Sequence, residues 1–269
     1  MSKRIGIIGT GVMGTAILKG ITESNLMSTD KLYCFDQSAQ KLETVKNRYN
    51  INTTGSSREL AECSDIIIIA VKPNLVKYVL ESFADRMTGE KVVVSIAAGV
   101  TLKFLEDVIG KEKKVVRVMP NTPLQVGEGM TLISCNSNVT DCEKLEVSAL
   151  FKCAGRVEEL PENLMNEVVA LTSSSPAYVF MFIEAMSDAA VQSGIPRELS
   201  YKLAAQAVLG SAKMVLETGK HPGELKDQVC TPAGTTIEAV AVLEKCSFRN
   251  AVIEAMNACT RKTREMSKR

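Results

Sequence analysis

The chain has 269 residues, 45% of them hydrophobic and 23% charged, which suits a soluble globular protein of two domains or one large α/β unit. Its 32 Lys+Arg and 31 Asp+Glu leave a net charge of +1, too little field to grip a nucleic-acid backbone, and no basic run or aromatic platform compensates. The 8 cysteines never fall in a C-x-x-C spacing and His221 is the single histidine, so no zinc-site pattern can be written and no metal is expected.

Residues 1–160 alternate short apolar runs with helical patterns. Strands are predicted at Lys3–Ile8, Lys31–Phe35, Asp65–Val71, Lys91–Ile96 and Lys114–Met119, with helices at 12–23, 38–49, 57–63, 74–86 and 101–109. The last three strands are β-branched and nearly continuous, as parallel strands covered on both faces are. Further strands at 129–134 and 155–159 and a helix near 140–153 complete the pattern. The alternation predicts an α/β fold, a Rossmann-type doubly wound parallel sheet. After Pro161 no β alternation remains. Helices are expected at 163–174, 176–193, 197–218, 233–245 and 247–266, punctuated at Gly194-Ile195-Pro196 and over Gly219–Gly223. Residues 161–269 thus read as an all-helical C-terminal domain. Its 176–193 helix is apolar nearly all round, which calls for burial on several sides and makes a partner subunit plausible. The apolar stretches read as too short for a membrane span. The N-terminus runs directly into a strand pattern without a signal-peptide layout, and the scattered thiols suit a reducing compartment. Together these predict a cytoplasmic protein without membrane contact.

Ile8-Gly9-Thr10-Gly11-Val12-Met13-Gly14 carries G-x-G-x-x-G between a strand and a helix, the context a dinucleotide site requires. Gly9 permits the tight turn, Gly11 admits a pyrophosphate, Gly14 allows close packing, and the helix N-terminus faces the phosphates. The second strand ends at Phe35-Asp36. An acid there can accept from the adenosine ribose hydroxyls and repel a 2′-phosphate, or it can cap the following helix. Ser56-Ser57-Arg58 pulls the other way, since hydroxyls and a guanidinium could hold that phosphate. The choice between NAD and NADP therefore stays open. Later strands end in small or proline-containing corners, Ala70-Val71-Lys72-Pro73, Ala97-Ala98-Gly99 and Met119-Pro120-Asn121, which leave room for a cofactor beyond the strands' carboxyl ends.

The second candidate site is Cys230-Thr231-Pro232-Ala233-Gly234-Thr235-Thr236, small residues opening a helix. Thr235 or Thr236 can cap it, and free N–H groups at such a start suit a carboxylate. An absence matters as much: between Val157 and Pro196 there is no Lys, Arg or His. Oxidation of a hydroxyacid needs a positioned base. Reduction of a protonated imine needs mainly orientation and one hydrogen bond to nitrogen. A β-hydroxyacid dehydrogenase and a non-catalytic NAD(P) sensor are the rival readings.

The motifs Gly9-Thr-Gly-Val-Met-Gly14, Ala70-Val-Lys-Pro73, Ser95-Ile-Ala-Ala-Gly-Val-Thr101, Met119-Pro-Asn-Thr-Pro123, Pro176-Ala-Tyr178, His221-Pro-Gly-Glu-Leu-Lys-Asp227 and Thr231-Pro-Ala-Gly-Thr-Thr236 span the whole chain. With them the sequence resembles the pyrroline-5-carboxylate reductases. The resemblance implies reduction of 1-pyrroline-5-carboxylate to L-proline with hydride from NADH or NADPH, the last step of proline biosynthesis. It also implies homodimers, which can assemble into decamers, with each active site between one subunit's cofactor domain and its partner's helices. Carried over residue by residue, it places the substrate carboxylate on the N–H groups of Thr235 and Thr236, with Cys230, Thr231 and Gly234 shaping the loop. The Thr236 hydroxyl is placed on the ring nitrogen as the catalytic group, and Glu162 beside the cationic iminium. Two departures stand out: Ser173-Ser174-Ser175 replaces a glycine-containing run, and Ala233 stands where the family has glycine. Asp36 is unusual for a family that often prefers NADPH.

Overall fold

The computed structural model describes residues 2–266. The first half runs β1 (Ile5–Ile8), α1 (Val12–Glu23), β2 (Leu32–Phe35), α2 (Ala39–Tyr49), β3 (Asn52–Thr53), α3 (Ser57–Cys63), β4 (Ile66–Ile69), α4 (Pro73–Glu81), β5 (Val92–Ser95), α5 (Leu102–Ile109), β6 (Lys114–Met119), β7 (Gly129–Cys135), α6 (Asp141–Lys152) and β8 (Gly155–Glu159). Then come α7 (Glu162–Met165), α8 (Val169–Thr172), α9 (Ser175–Gln192), α10 (Arg197–Thr218), α11 (Pro222–Val229), α12 (Thr235–Lys245) and α13 (Phe248–Met266).

The strands form one sheet in the order β3-β2-β1-β4-β5-β6-β7-β8. β1 to β6 pair with one another in parallel, β7 is antiparallel to β6, and β8 is parallel to β7. The sheet is therefore parallel-dominated rather than wholly parallel. Alternate residues of β4 enter opposite cores: Ile66 and Ile68 pack with Ile17, Leu18 and Phe151, whereas Ile67 and Ile69 pack with Leu80, Phe83 and Leu105. Burial of each such side chain stabilises the fold by about 1.5–3 kcal/mol, which is why β4 is a continuous run of isoleucines.

Two compact units result: one extends through Ser173 and takes in the chain again from Thr263, and the other is Ser174–Lys262. The division lies beyond the residue-160 boundary read from the sequence, because α7 stays with the sheet. The buried Arg117 of β6 donates to Glu162 Oε1 at 3.2 Å and to Asn166 Oδ1 at 2.9 Å. Arg264, near the end of α13, pairs with Glu167. The expected helix 163–174 is broken into α7 and α8, and the expected 233–245 helix begins only at Thr235.

In the second unit, Ala204, Ser187 and Ser200 are the buried residues among those described. Phe180 and Met181 on α9 are 64% and 69% exposed. One correction follows for the sequence reading: Val169–Gln192 is long and apolar enough, by length and composition, to cross a membrane.

Candidate functional site

The first site grows from the register of three strands. Ile8 pairs with Phe35 on one side and Ile69 on the other, so Gly9 emerges level with Asp36 and Ala70, where the strand order departs in both directions from β1. In open α/β sheets ligands lie at this point. Gly9 has φ of 100° and donates to Phe35 O at 2.8 Å; a Cβ there would lie 2.6 Å from Ala70 O. A Cβ on Gly14 would stand 2.0 Å from Gly9 O, so the turn and the first turn of α1 touch backbone to backbone. Gly11 differs: an added Cβ would meet nothing within 4 Å. It is the N-cap of α1 and no side chain caps it. The N–H groups of Val12 and Met13 therefore start a helix beneath open space, an arrangement that fits a pyrophosphate.

Asp36 has three donors. Oδ2 accepts from Thr10 N at 2.8 Å and Thr10 Oγ1 at 3.1 Å, and Oδ1 accepts from Ser38 N at 2.9 Å. Burial raises its pKa, but the Ser38 and Thr10 hydrogen bonds, with Lys41 nearby, outweigh burial and hold it below the ordinary carboxylate value. The N-cap of α2 is Ser38, whose Oγ accepts from Lys41 N, so Asp36 does not cap the helix; it holds the residue that does and, through Thr10, the glycine-rich turn. The Thr10–Asp36 contact joins residues far apart in sequence, and spacing alone gave no sign of it.

Other expected cofactor residues occupy defined places. Ala70 and Val71 follow β4, Lys72 is the exposed N-cap of α4, and Pro73 opens that helix. Ala97 is buried and donates its N–H to Ser95 Oγ. Pro120 and Asn121 follow β6. The Asn121 amide is engaged in structure: Nδ2 donates to Thr172 O at 3.0 Å and Oδ1 accepts from Met130 N at 2.8 Å. Ser57 is likewise engaged. Its hydroxyl lies 2.7 Å from Ser82 Oγ, which itself donates to Val79 O, so the Ser57 proton is directed at Ser82. An open groove of about 540 Å³, bordered by Thr10, Gly11, Thr15, Lys41 and Arg48, runs from the turn between α1 and α2. Lys41 and Arg48 had no place in the sequence reading.

The second site is the start of α12. Its N-cap is Gly234, with no side-chain cap; Thr235 and Thr236 are the first two helical residues and not caps. Gly234 N donates to Thr231 O at 3.0 Å, closing the loop. Ala233 has φ of 53°, the left-handed conformation that glycine would take without strain. Cys230 ends α11, a helix capped at its other end by His221 Nδ1, which accepts from Gly223 N at 3.0 Å. The sequence reading took Gly219–Gly223 as punctuation between helices and left α11 undrawn. Thr235 is exposed and Thr236 half-buried.

Glu162 has a different setting from the one expected. Its Oε1 accepts from Leu102 N at 2.6 Å as well as from Arg117. The carboxylate neutralises a buried guanidinium and caps the start of α5.

A glycine-rich turn at the switch point of a parallel sheet, with an uncapped helix start beneath open space, defines a Rossmann-type dinucleotide-dependent oxidoreductase. Comparison with known proteins narrows the class. Residues 162–266 match the family model for pyrroline-5-carboxylate reductase dimerisation, and residues 4–99 match that for NADP oxidoreductase, coenzyme F420-dependent. The chain is 49% identical over 268 residues to the pyrroline-5-carboxylate reductase of Escherichia coli K12, covering 100% of both chains. The structure of a pyrroline-5-carboxylate reductase from Coxiella burnetii superposes with a TM-score of 0.95 at 33% identity, covering 100% of both chains. The Plasmodium falciparum pyrroline carboxylate reductase with NADP bound gives 0.87 at 35% identity, covering 99% of this chain and 98% of that one. The chain belongs to the pyrroline-5-carboxylate reductase family and is an NAD(P)H-dependent oxidoreductase.

Proposed function

We propose that the protein reduces the cyclic imine 1-pyrroline-5-carboxylate to L-proline, with residues 1–160 holding the dinucleotide and residues 161–269 holding the substrate and the dimer. The observation that carries this reading is the open start of α12. Gly234 offers no side-chain acceptor, so the N–H groups of Thr235 and Thr236 are available to a substrate carboxylate. Thr231 and Cys230 shape the loop, and the Thr236 hydroxyl oxygen accepts from the N–H of the protonated ring nitrogen. When bound, the reduced nicotinamide would supply hydride to the imine carbon, C2 of the pyrroline ring, which becomes C5 of proline. The nitrogen is protonated, so the product is a neutral ring amine before it takes up a further proton from water. No side chain has to abstract a proton, in keeping with the lack of Lys, Arg and His between Val157 and Pro196.

On the cofactor side, Ile8 to Gly14 form the pyrophosphate cradle, and the Ala70–Pro73, Ala97 and Pro120-Asn121 corners surround the rest of the dinucleotide. The exposed apolar faces of α9, α10, α12 and α13 form a homodimer. The support is the scarcity of buried side chains in the helical unit and the match of residues 162–266 to a dimerisation model. A second copy covers α9 better than lipid would, because Glu184 and Asp188 lie within it. Further assembly into decamers rests on the family resemblance. A cytoplasmic location agrees with eight cysteines that form no disulfide among the described residues.

The test is a spectrophotometric assay of NADH and NADPH oxidation with pyrroline-5-carboxylate, with light scattering on the same sample. Turnover by a dimer or larger assembly is expected. Turnover of 3-hydroxyacids but not of the imine would overturn the assignment.

A further inference from the structure

We infer that Asp36 makes this protein select NADH over NADPH; the inference rests on the dinucleotide reading of the glycine-rich turn. The carboxylate stands directly after β2, level with Gly9. Its position is locked by Thr10 N, Thr10 Oγ1 and Ser38 N. A carboxylate has about four acceptor sites, so these three donors leave roughly one, on Oδ1. A ribose hydroxyl can donate into that site. A 2′-phosphate brings only acceptors and up to two further negative charges to the same place.

Asp36 cannot swing aside to admit it. Rotation would strip the buried Thr10 of its N–H and hydroxyl partner and take the acceptor from Ser38 at the start of α2. Nor does protonation offer escape at neutral pH, because the same hydrogen bonds keep the group ionised.

The groups that could have reversed this preference are engaged elsewhere. Ser56 accepts from Glu59 N at 3.1 Å as the N-cap of α3. Ser57 points its proton at Ser82. Arg58 forms a two-pronged pair with Asp85, at 3.1 and 2.6 Å. The hydroxyl–guanidinium cluster that reads in sequence as a phosphate holder is a structural cluster around α3. Lys41 acts on Asp36 through its charge alone, the smallest of the influences on that carboxylate, and Arg48, which also borders the groove, lays its guanidinium over the Tyr49 ring, 5.2 Å from the centroid.

The experiment uses the full-length protein and equilibrium binding. Calorimetry with NADH and NADPH, and with the adenosine halves ADP and 2′-phospho-ADP, reads the preference without any variant. NADH and ADP are expected to bind at least about tenfold tighter than their 2′-phosphorylated counterparts. Asp36→Ser and Asp36→Asn, checked for folding by thermal unfolding, are expected to shrink that ratio about tenfold or more, mainly through tighter NADPH binding. NADPH bound as tightly as NADH by the natural protein would overturn the inference, as would an unchanged ratio in a folded variant. Either result leaves the dinucleotide site standing; binding of neither cofactor would remove both.

Discussion

Gly234 and Thr231 are in van der Waals conflict with any larger residue at position 234: a Cβ there would lie 2.3 Å from Thr231 Oγ1 and 3.0 Å from Thr231 O. The loop closes tightly because Gly234 N donates to Thr231 O, and the same residue is the N-cap of α12. Gly234→Ala is therefore expected to displace the N–H groups of Thr235 and Thr236, to which the proposed function assigns the substrate carboxylate. A loss on the order of 100-fold in kcat/KM for the imine should follow, with unchanged cofactor affinity. Kinetics within twofold of the natural protein would show that the loop does not position substrate.

The neighbouring residue offers the opposite experiment. Ala233 holds φ of 53° on an exposed loop, a conformation costing an L-residue roughly 1–2 kcal/mol. Ala233→Gly should relieve that strain, giving equal or higher thermal stability, and should leave the substrate KM equal or lower. A fall in stability of about 1 kcal/mol or more, read from chemical denaturation, would mean that glycine's extra freedom in the unfolded chain outweighs the strain.

Gly11 separates cofactor binding from folding. Nothing lies within 4 Å of a Cβ added there, so Gly11→Val should fold with an unaltered melting temperature. Its side chain would occupy the space a pyrophosphate needs, and NAD(P)H affinity should fall by more than about tenfold. Titration of nucleotide fluorescence checks this; undiminished affinity in a folded variant would displace the cofactor from the turn.

Glu162 is assigned to stability. Its Oε1 serves both Leu102 N and the buried Arg117, so Glu162→Gln weakens a charge-assisted pair while keeping an acceptor. A loss of about 1–3 kcal/mol in unfolding free energy is expected, with an unchanged substrate KM. A KM effect without a stability effect would return Glu162 to the substrate.

Much of the fold was legible in the sequence because burial dictates it. β6 at Lys114–Met119 matches its expected span because the run Lys-Val-Val-Arg-Val-Met is fixed by burial on both faces. Arg117 at its centre gave no sign of its partners, which come from α7, far along the chain. The reversal of β7 went unread, although the short stretch between Met119 and Gly129 leaves no room for a parallel crossover. α11 was missed because Pro222 and Gly223 read as punctuation, while in the structure they form its first turn under the His221 cap. At the site, the roles of Gly9 and Gly14 were readable from motif geometry, and Gly234 only in part. The engagement of Asp36 with Thr10, of Ser57 with Ser82 and of Asn121 with Thr172 was not. Each depends on a contact across the fold that no local pattern encodes.

The central claim is that the start of α12 handles the imine through its N–H groups and one hydroxyl. The most direct measurement is kcat/KM for pyrroline-5-carboxylate in Thr236→Ala beside the natural protein, at saturating cofactor. Thr236 is the second residue of a helix capped by Gly234, so its removal leaves the turn standing. Losing a hydrogen bond to a charged group is worth about 1.5–3 kcal/mol, and a tenfold to hundredfold fall is predicted, with cofactor affinity unchanged. Natural kinetics in the variant would contradict the account.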